Sequence, residues 1–207
     1  MPRPLSAAKV ALFREHLLDA ATRRFAAHGI HGLTLRALAA DLGVSPMTPY
    51  RYFADKDAIL AAMQARAFDR FATALENAFA SARSATQRAR AVGAAYLRFA
   101  FDHKESYRLM FDLPIADAKA HPDLERAAAR ARVTMTAYVG DLVEAGRMKG
   151  DPARIGHAVW ALMHGAVMLE LAGKFTSDCD FETVIETGVN ALLKSFAATP
   201  ASRRRAS

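Results

Sequence analysis

Apolar residues recur at spacings of three and four along almost the whole chain, and no segment alternates apolar and polar residues over strand length. A chain patterned in this way predicts an all-α fold. Val10, Phe13, Leu17, Ala21 and Phe25 form one stripe, predicting a first helix from about Ser6 to Ala27 that ends at His28-Gly29, with Gly29 in the left-handed position beyond the last turn. A second, short helix begins at Thr34, a good N-cap, turns Leu35, Leu38 and Ala39 inward and stops at Gly43. A third is expected from Ser45 to about Phe53. A fourth comes after Asp55, with Ile59, Leu60, Met63, Phe68, Phe71 and Leu75 as its apolar positions. Beyond residue 84 the pattern predicts helices near 85–103, 104–111, 121–147, 152–173 and 181–198. Breaks are expected at Leu113-Pro114, Gly150-Asp151-Pro152 and Ser177-Asp178-Cys179-Asp180.

The 207 residues suit one compact unit, or a small domain fused to a larger one. A hydrophobic fraction of 52% can fill a sizeable core, and 24% charged residues is ordinary for a soluble protein. No apolar run approaches the ~18 residues of a membrane span, and Met1–Leu5 opens no signal peptide, so no membrane and a cytoplasmic location are expected. A single cysteine, Cys179, excludes an internal disulfide and a multi-cysteine zinc site. The net charge of +7 suits a polyanionic partner. The first 58 residues hold eight Lys and Arg against five Asp and Glu, and Arg203-Arg204-Arg205 reads as a solvated basic tail, residues 200–207.

The most specific motif lies near the N-terminus. Thr34 to Ser45, sequence TLRALAADLGVS, packs a helix, a glycine turn and a new N-cap into twelve residues. So short a connection forces two helices to meet steeply, as in a helix-turn-helix. Gly43 needs a positive φ, Val44 plugs the angle, and Ser45 caps the second helix. Next come Pro46-Met47-Thr48-Pro49-Tyr50-Arg51-Tyr52-Phe53, an aromatic-basic-aromatic cluster able to offer hydroxyl and guanidinium groups to phosphates and base edges.

Gly-Val-Ser at 43–45, Tyr-Arg-Tyr-Phe at 50–53 and Asp-Lys at 55–56 resemble the TetR family of regulators over the first ~60 residues. The resemblance implies a DNA-binding domain over residues 1–56 and an effector-binding and dimerisation domain over 57–199. It implies phosphate contacts from Thr34, Ser45, Tyr50 and Lys56, with Arg36 reaching the groove from the preceding helix. Met47, Thr48, Arg51 and Tyr52 would face the major groove, and Phe53 would be core. Three of these residues have a second reading: Tyr52 as a packed aromatic, Arg36 as a surface charge, and Met47 as a shield at the groove edge. Arg51 is the firmest base reader, because its fork matches guanine O6 and N7. Pro49 departs from the family's usual aliphatic residue. It lacks an N–H and crowds the Ser45 carbonyl, while Pro46 already fixes the first turn, so a distorted or 3₁₀-like start is expected.

In the C-terminal part, Ala158 to Leu169 is apolar nearly all round, as in a helix buried on every side. The next helix repeats Phe181, Ile185, Val189, Leu192 and Phe196, so these last two helices can pair with their copies as a homodimeric four-helix bundle. Trp160 and His164 share a face, and Gly165 beside them is expected to permit close helix packing. The Trp…His-Gly pattern is similar to one class of TetR-like C-terminal domains. Tyr96, Phe99, Tyr107, Met110, Phe111, Met135, Tyr138, Trp160, His164 and Met168 can line an apolar cavity, though for any one of them ordinary core is the stronger reading. The resemblance implies a small hydrophobic effector.

Of the function classes, catalysis has the least support. The histidines at 16, 28, 31, 103, 121, 157 and 164 form no His-Glu-x-x-His spacing, and there is neither a Gly-x-Ser-x-Gly elbow nor a phosphate-cradling glycine loop. No enzyme activity, metal or cofactor is expected. A transcriptional regulator, most simply a repressor of double-stranded operator DNA, leads. An effector-independent architectural DNA binder is the alternative.

Overall fold

Ser6 accepts a hydrogen bond from the Lys9 amide (3.4 Å) and opens the first helix, α1, Ala7–Gly32, in a computed structural model that describes residues 6–113 and 120–198. The chain then forms α2 (Leu35–Asp41), a 3₁₀ turn (Pro49–Arg51), α3 (Lys56–Ala80), α4 (Ala85–Asp102), α5 (Lys104–Phe111), α6 (Pro122–Glu144), α7 (Pro152–Leu171) and α8 (Phe181–Ser195). No strand occurs among the described residues; two isolated bridges, Met148 with Ala197 and Thr176 with Cys179, are the nearest approach. The all-α expectation is met. The expected basic tail, residues 200–207, and Pro114 of the first break lie outside the described residues.

The helix starts depend on side-chain caps that satisfy otherwise orphaned amides. Asp151 accepts from the Ala153 amide (2.9 Å) just before Pro152. Asp180 accepts from the Thr183 amide (2.7 Å), and that backbone bond holds its carboxyl below the usual carboxylate range. The end of the first helix differs from expectation. Instead of ending near Ala27, α1 kinks at Gly29 (φ 64°, ψ −169°) and resumes a helical turn to Gly32, so the glycine redirects the helix.

The chain divides into two compact units: residues up to Phe71 with Asp102–Arg130, and Ala72–Phe101 with Ala131 onward. Helix α3 contributes its first part to one and its last part to the other. In the first unit, α1 packs on α2 and α5. Leu17, Leu18, Ala20, Ala21, Leu35, Leu38, Phe53 and Ile59 form its core, with Tyr107 and Met110 fully buried on α5. Gln64 is buried too, but its Nε2 donates to the Leu109 carbonyl (3.1 Å), which removes the penalty of an unsatisfied amide. Arg66 joins α3 to α1 through Asp19 (2.7 Å), Glu15 (3.3 Å) and Thr22 Oγ1 (3.0 Å).

In the second unit, Val92, Tyr96, Phe99 and Ala100 of α4 are buried, as are Met135, Val139 and Leu142 of α6 and Ile155, Val159, Met163 and Val167 of α7. Arg88 pairs with Asp141 at 2.6 Å and lies over the Phe79 ring at 4.9 Å. Helix α8 packs against α7 but buries none of its residues in the single chain. The Lys149 amide and the Phe196 carbonyl (2.8 Å) tie the end of α8 to the loop after α6.

The close helix approach expected at Gly165 is found elsewhere. A Cβ at Gly165 would meet nothing within 4 Å, whereas at Gly156 it would stand 2.8 Å from Thr136 Cβ and 3.3 Å from Thr136 Cα. A Cβ at Gly188 would meet only the ends of Leu162, at 2.8 and 2.9 Å. Thr136 is β-branched and cannot swing clear as Leu162 can. Gly156→Ala should therefore destabilise the protein by about 1–3 kcal/mol, and Gly188→Ala by less. Thermal melts of the two variants check this; equal midpoints would mean that α6 and α7 yield freely.

Candidate nucleic-acid interface

The N-terminal motif is built from backbone accounting. Thr34 Oγ1 accepts from the Ala37 amide (3.1 Å) and opens α2, which buries Leu35, Leu38 and Ala39 and leaves Arg36 exposed. At its other end Gly43 takes φ 64°, and two reverse bonds close the helix: Gly43 amide to Ala40 carbonyl (3.1 Å) and Val44 amide to Ala39 carbonyl (2.9 Å). Only a residue without a Cβ adopts this geometry freely.

The segment Ser45–Phe53 does not form the regular helix expected there. Ser45 Oγ accepts from the Met47 amide (3.4 Å), its carbonyl accepts from Thr48 (2.8 Å), and only Pro49–Arg51 winds into a 3₁₀ turn. The reason is the pair of prolines. Pro46 and Pro49 have no amide hydrogen, and a proline at 49 also disfavours helical continuation through the carbonyl four residues earlier. The expected distortion of the first turn thus extends over the segment. Pro49 is itself buried, and Phe53 is core as expected.

The expected contact residues divide clearly. Thr34, Arg36, Ser45, Met47, Tyr50 and Arg51 are exposed, Met47 at 67% and Tyr50 at 46%, and Thr48 is half-buried. Tyr52 is half-buried with its ring 4.8 Å from that of Phe13, so the packed-aromatic reading describes its environment. Lys56 stands at the start of α3, where Asp55 Oδ1 accepts from the Ala58 amide (2.8 Å). Its Nζ donates to the Ile30 carbonyl at 2.6 Å, tying α3 to the kinked end of α1.

Sequence reading missed two arginines of this unit, treating them only as charge. Arg24 Nε donates to the Gly32 carbonyl (2.7 Å), and its Nη1 donates to both oxygens of Asp41 (3.0 Å each), tying α1 to α2. Arg14 Nη1 donates to the Tyr52 carbonyl (3.0 Å) while its guanidinium lies 4.2 Å over the Phe53 ring. Asp41 and Tyr52 lie 17 and 38 residues from their arginines, beyond the reach of any local spacing rule.

The second unit holds the candidate cavities. One, of about 430 Å³, opens between α4 and α8, with Ala89, Gly93 and Leu97 facing Ile185, Val189 and Leu193. Arg90, Glu186 and Asn190 lie at its polar edge, and Tyr138 and Met163 are among the residues behind. Among the expected effector residues, Tyr138 lines this space. Burial pushes its phenol up to about 12. Tyr96, Met135 and Trp160 instead surround a void of about 10 Å³, room for no more than a water. The Trp160 and His164 rings are 5.9 Å apart, as their shared face requires. Phe99 is core, and Met168 is half-buried. Tyr107, Met110 and Phe111 belong to the first unit, where Phe111 packs on Phe68 (6.0 Å) and Tyr107 (4.8 Å). Among the described residues no group of three or more His, Cys, Asp or Glu could hold a metal ion, and no helix is long and apolar enough to cross a membrane.

Comparison with known proteins agrees with this architecture. Residues 17–63 match the family model described as bacterial regulatory proteins of the tetR family, and residues 89–192 match the tetracyclin repressor-like C-terminal domain. None of the curated proteins compared matches the sequence. Among solved structures, a protein of unknown function from Rhodococcus sp. RHA1 is 28% identical (TM-score 0.77; 95% of this chain and 100% of that one covered). A TetR-family transcription regulator from Marinobacter aquaeolei VT8 is 22% identical (TM-score 0.67; 90% and 96% covered). Another from Pectobacterium atrosepticum is 21% identical (TM-score 0.66; 95% and 100% covered). With a helix-turn-helix unit at one end, a helical C-terminal domain at the other and a family model matched by each, the chain belongs to the TetR family of DNA-binding transcriptional regulators.

Proposed function

We propose that this regulator is a homodimeric repressor, released from a near-palindromic operator by a small hydrophobic effector. Residues 1–56 supply the DNA contacts and residues 57–199 the effector site and dimer interface. The observation that carries the effector reading is the cavity of about 430 Å³ between α4 and α8, apolar in most of its lining and backed by the buried phenol of Tyr138. Such a space suits a molecule with an apolar body and one hydrogen-bonding group. Dimerisation through α7 and α8 is supported by α8 having no fully buried residue in the single chain and by Leu169 remaining 47% exposed on α7. In the dimer, two recognition segments would reach successive major grooves about 34–36 Å apart.

On the DNA side, Arg51 is the base reader and Thr34, Ser45, Tyr50 and Lys56 hold phosphates, with Arg36, Met47, Thr48 and Tyr52 completing the contact face. With an operator selected from random-sequence DNA, Arg51→Ala should lose about 1–3 kcal/mol of discrimination at one position of each half-site. Unchanged discrimination at every position would remove Arg51 from base reading.

Release by an effector requires differential affinity for the two states of the dimer, and linkage makes that coupling reciprocal. N-phenyl-1-naphthylamine, a neutral apolar fluorophore, should brighten on binding the cavity. Saturating operator should weaken that binding by the same factor by which the fluorophore weakens operator binding. Equal fluorophore affinity with and without operator would sink the release mechanism.

A further inference from the structure

The recognition segment cannot hold its own shape. In a regular helix over Ser45–Phe53, amides from residue 49 onward would each bond four residues back. Pro49 has no amide to give, the Arg51 and Tyr52 amides bond three residues back (3.1 and 2.9 Å), and only Phe53 makes a four-residue bond, to Pro49 (3.0 Å). A 3₁₀ turn of three residues has poor hydrogen-bond geometry and ends in carbonyls without partners in the turn itself. Yet this turn carries the exposed Tyr50 and Arg51, whose side chains must meet DNA in one fixed orientation.

The missing support comes from α1. Arg14 is half-buried there, and its Nη1 donates to the carbonyl of Tyr52, the residue that ends the turn (3.0 Å). The same guanidinium stands over the Phe53 ring, with Cζ 4.2 Å from its centre. Beside it, Phe13 packs on Tyr52 at 4.8 Å. One side chain therefore grips the carbonyl just past Arg51 and the ring one residue further on. Among the described residues Arg14 makes no ion pair that would explain its placement otherwise.

We infer that Arg14 is a positioning residue for operator recognition: it caps the recognition turn at the Tyr52 carbonyl and clamps it against Phe53, fixing where Tyr50 and Arg51 point. Only arginine performs both tasks. Its planar fork donates and stacks at once, whereas a lysine at this position can donate but has no flat face to lay on the ring. The role is distinct from a phosphate contact, because the donor is directed into the protein. This inference rests on the reading of Arg51 as base reader, and the test separates the two.

Full-length wild type, Arg14→Ala, Arg14→Lys and Arg51→Ala are each titrated with the wild-type selected operator and with a scrambled duplex, over a salt series. Arg14→Ala should lower the operator-to-scrambled affinity ratio about tenfold, the order expected on losing a charge-assisted hydrogen bond. Scrambled binding and the salt slope should stay unchanged. Arg14→Lys should lose a smaller part, about threefold, since it keeps the charge and one donor. Hydrogen exchange at the Tyr52 and Phe53 amides should quicken in Arg14→Ala, while exchange in α2 stays as in wild type. That last comparison separates loosening of the turn from unfolding of the unit. Weakening of both duplexes together, with the salt slope reduced by about one, would show Arg14 to be a phosphate ligand and overturn the inference. An unchanged ratio in Arg14→Ala, with Arg51→Ala impaired, overturns it alone. If Arg51→Ala is unimpaired as well, the base-reading assignment fails with it.

Discussion

Burial of one face of α1 is the interaction on which the DNA-binding unit depends. Leu17, Leu18, Ala20 and Ala21 are at most 4% exposed, and onto them pack Leu35, Leu38 and Ala39 of α2, a helix of seven residues that could not persist alone. Burying a leucine of this kind stabilises by about 1.5–3 kcal/mol, so a few such side chains outweigh the marginal propensity of so short a helix. The polar ties then act on an arrangement already set by packing. Arg24, Arg66 and Lys56 each join α1 to a later segment by hydrogen bonds of 2.6–3.3 Å, and each ends on groups that would otherwise need water or a partner.

The recognition segment shows what happens where the local ladder is incomplete. Two prolines remove the donors from which a helix would be made, and the backbone settles for a turn and a three-residue 3₁₀ stretch. Order there is supplied from outside, by burial of Pro49 and Phe53 and by the Arg14 and Phe13 contacts. The shape of this segment therefore depends partly on side chains of α1, far from it in the sequence.

The second unit has the opposite character. Its cores on α4, α6 and α7 are apolar and close-packed, down to the Gly156 and Thr136 approach, but α8 is attached through α7 and has no fully buried residue. That leaves an open apolar space against α4, and Leu169 of α7 stays exposed. The aromatic residues that composition suggested for a pocket went mostly into ordinary core, because large side chains gain more from close packing than from lining a void.

Every helix but the one expected over Ser45–Phe53, the cap at Thr34, the Gly43 turn and the identity of the family motif were legible in the residues. Each depends on neighbours within about four positions, where side-chain chemistry and φ/ψ preference act directly. The disturbance caused by Pro49 was legible too, as a missing donor, though not its extent. Three things were decided only when the chain folded back on itself. They are which glycine admits a neighbouring helix (Gly156 and not Gly165), which aromatics face a cavity (Tyr138 and not Tyr107), and what Arg14 and Arg24 hold. The arginine ties reach partners as far as 17 and 38 residues away, whose meeting is set by helix lengths and packing and leaves no mark on local spacing.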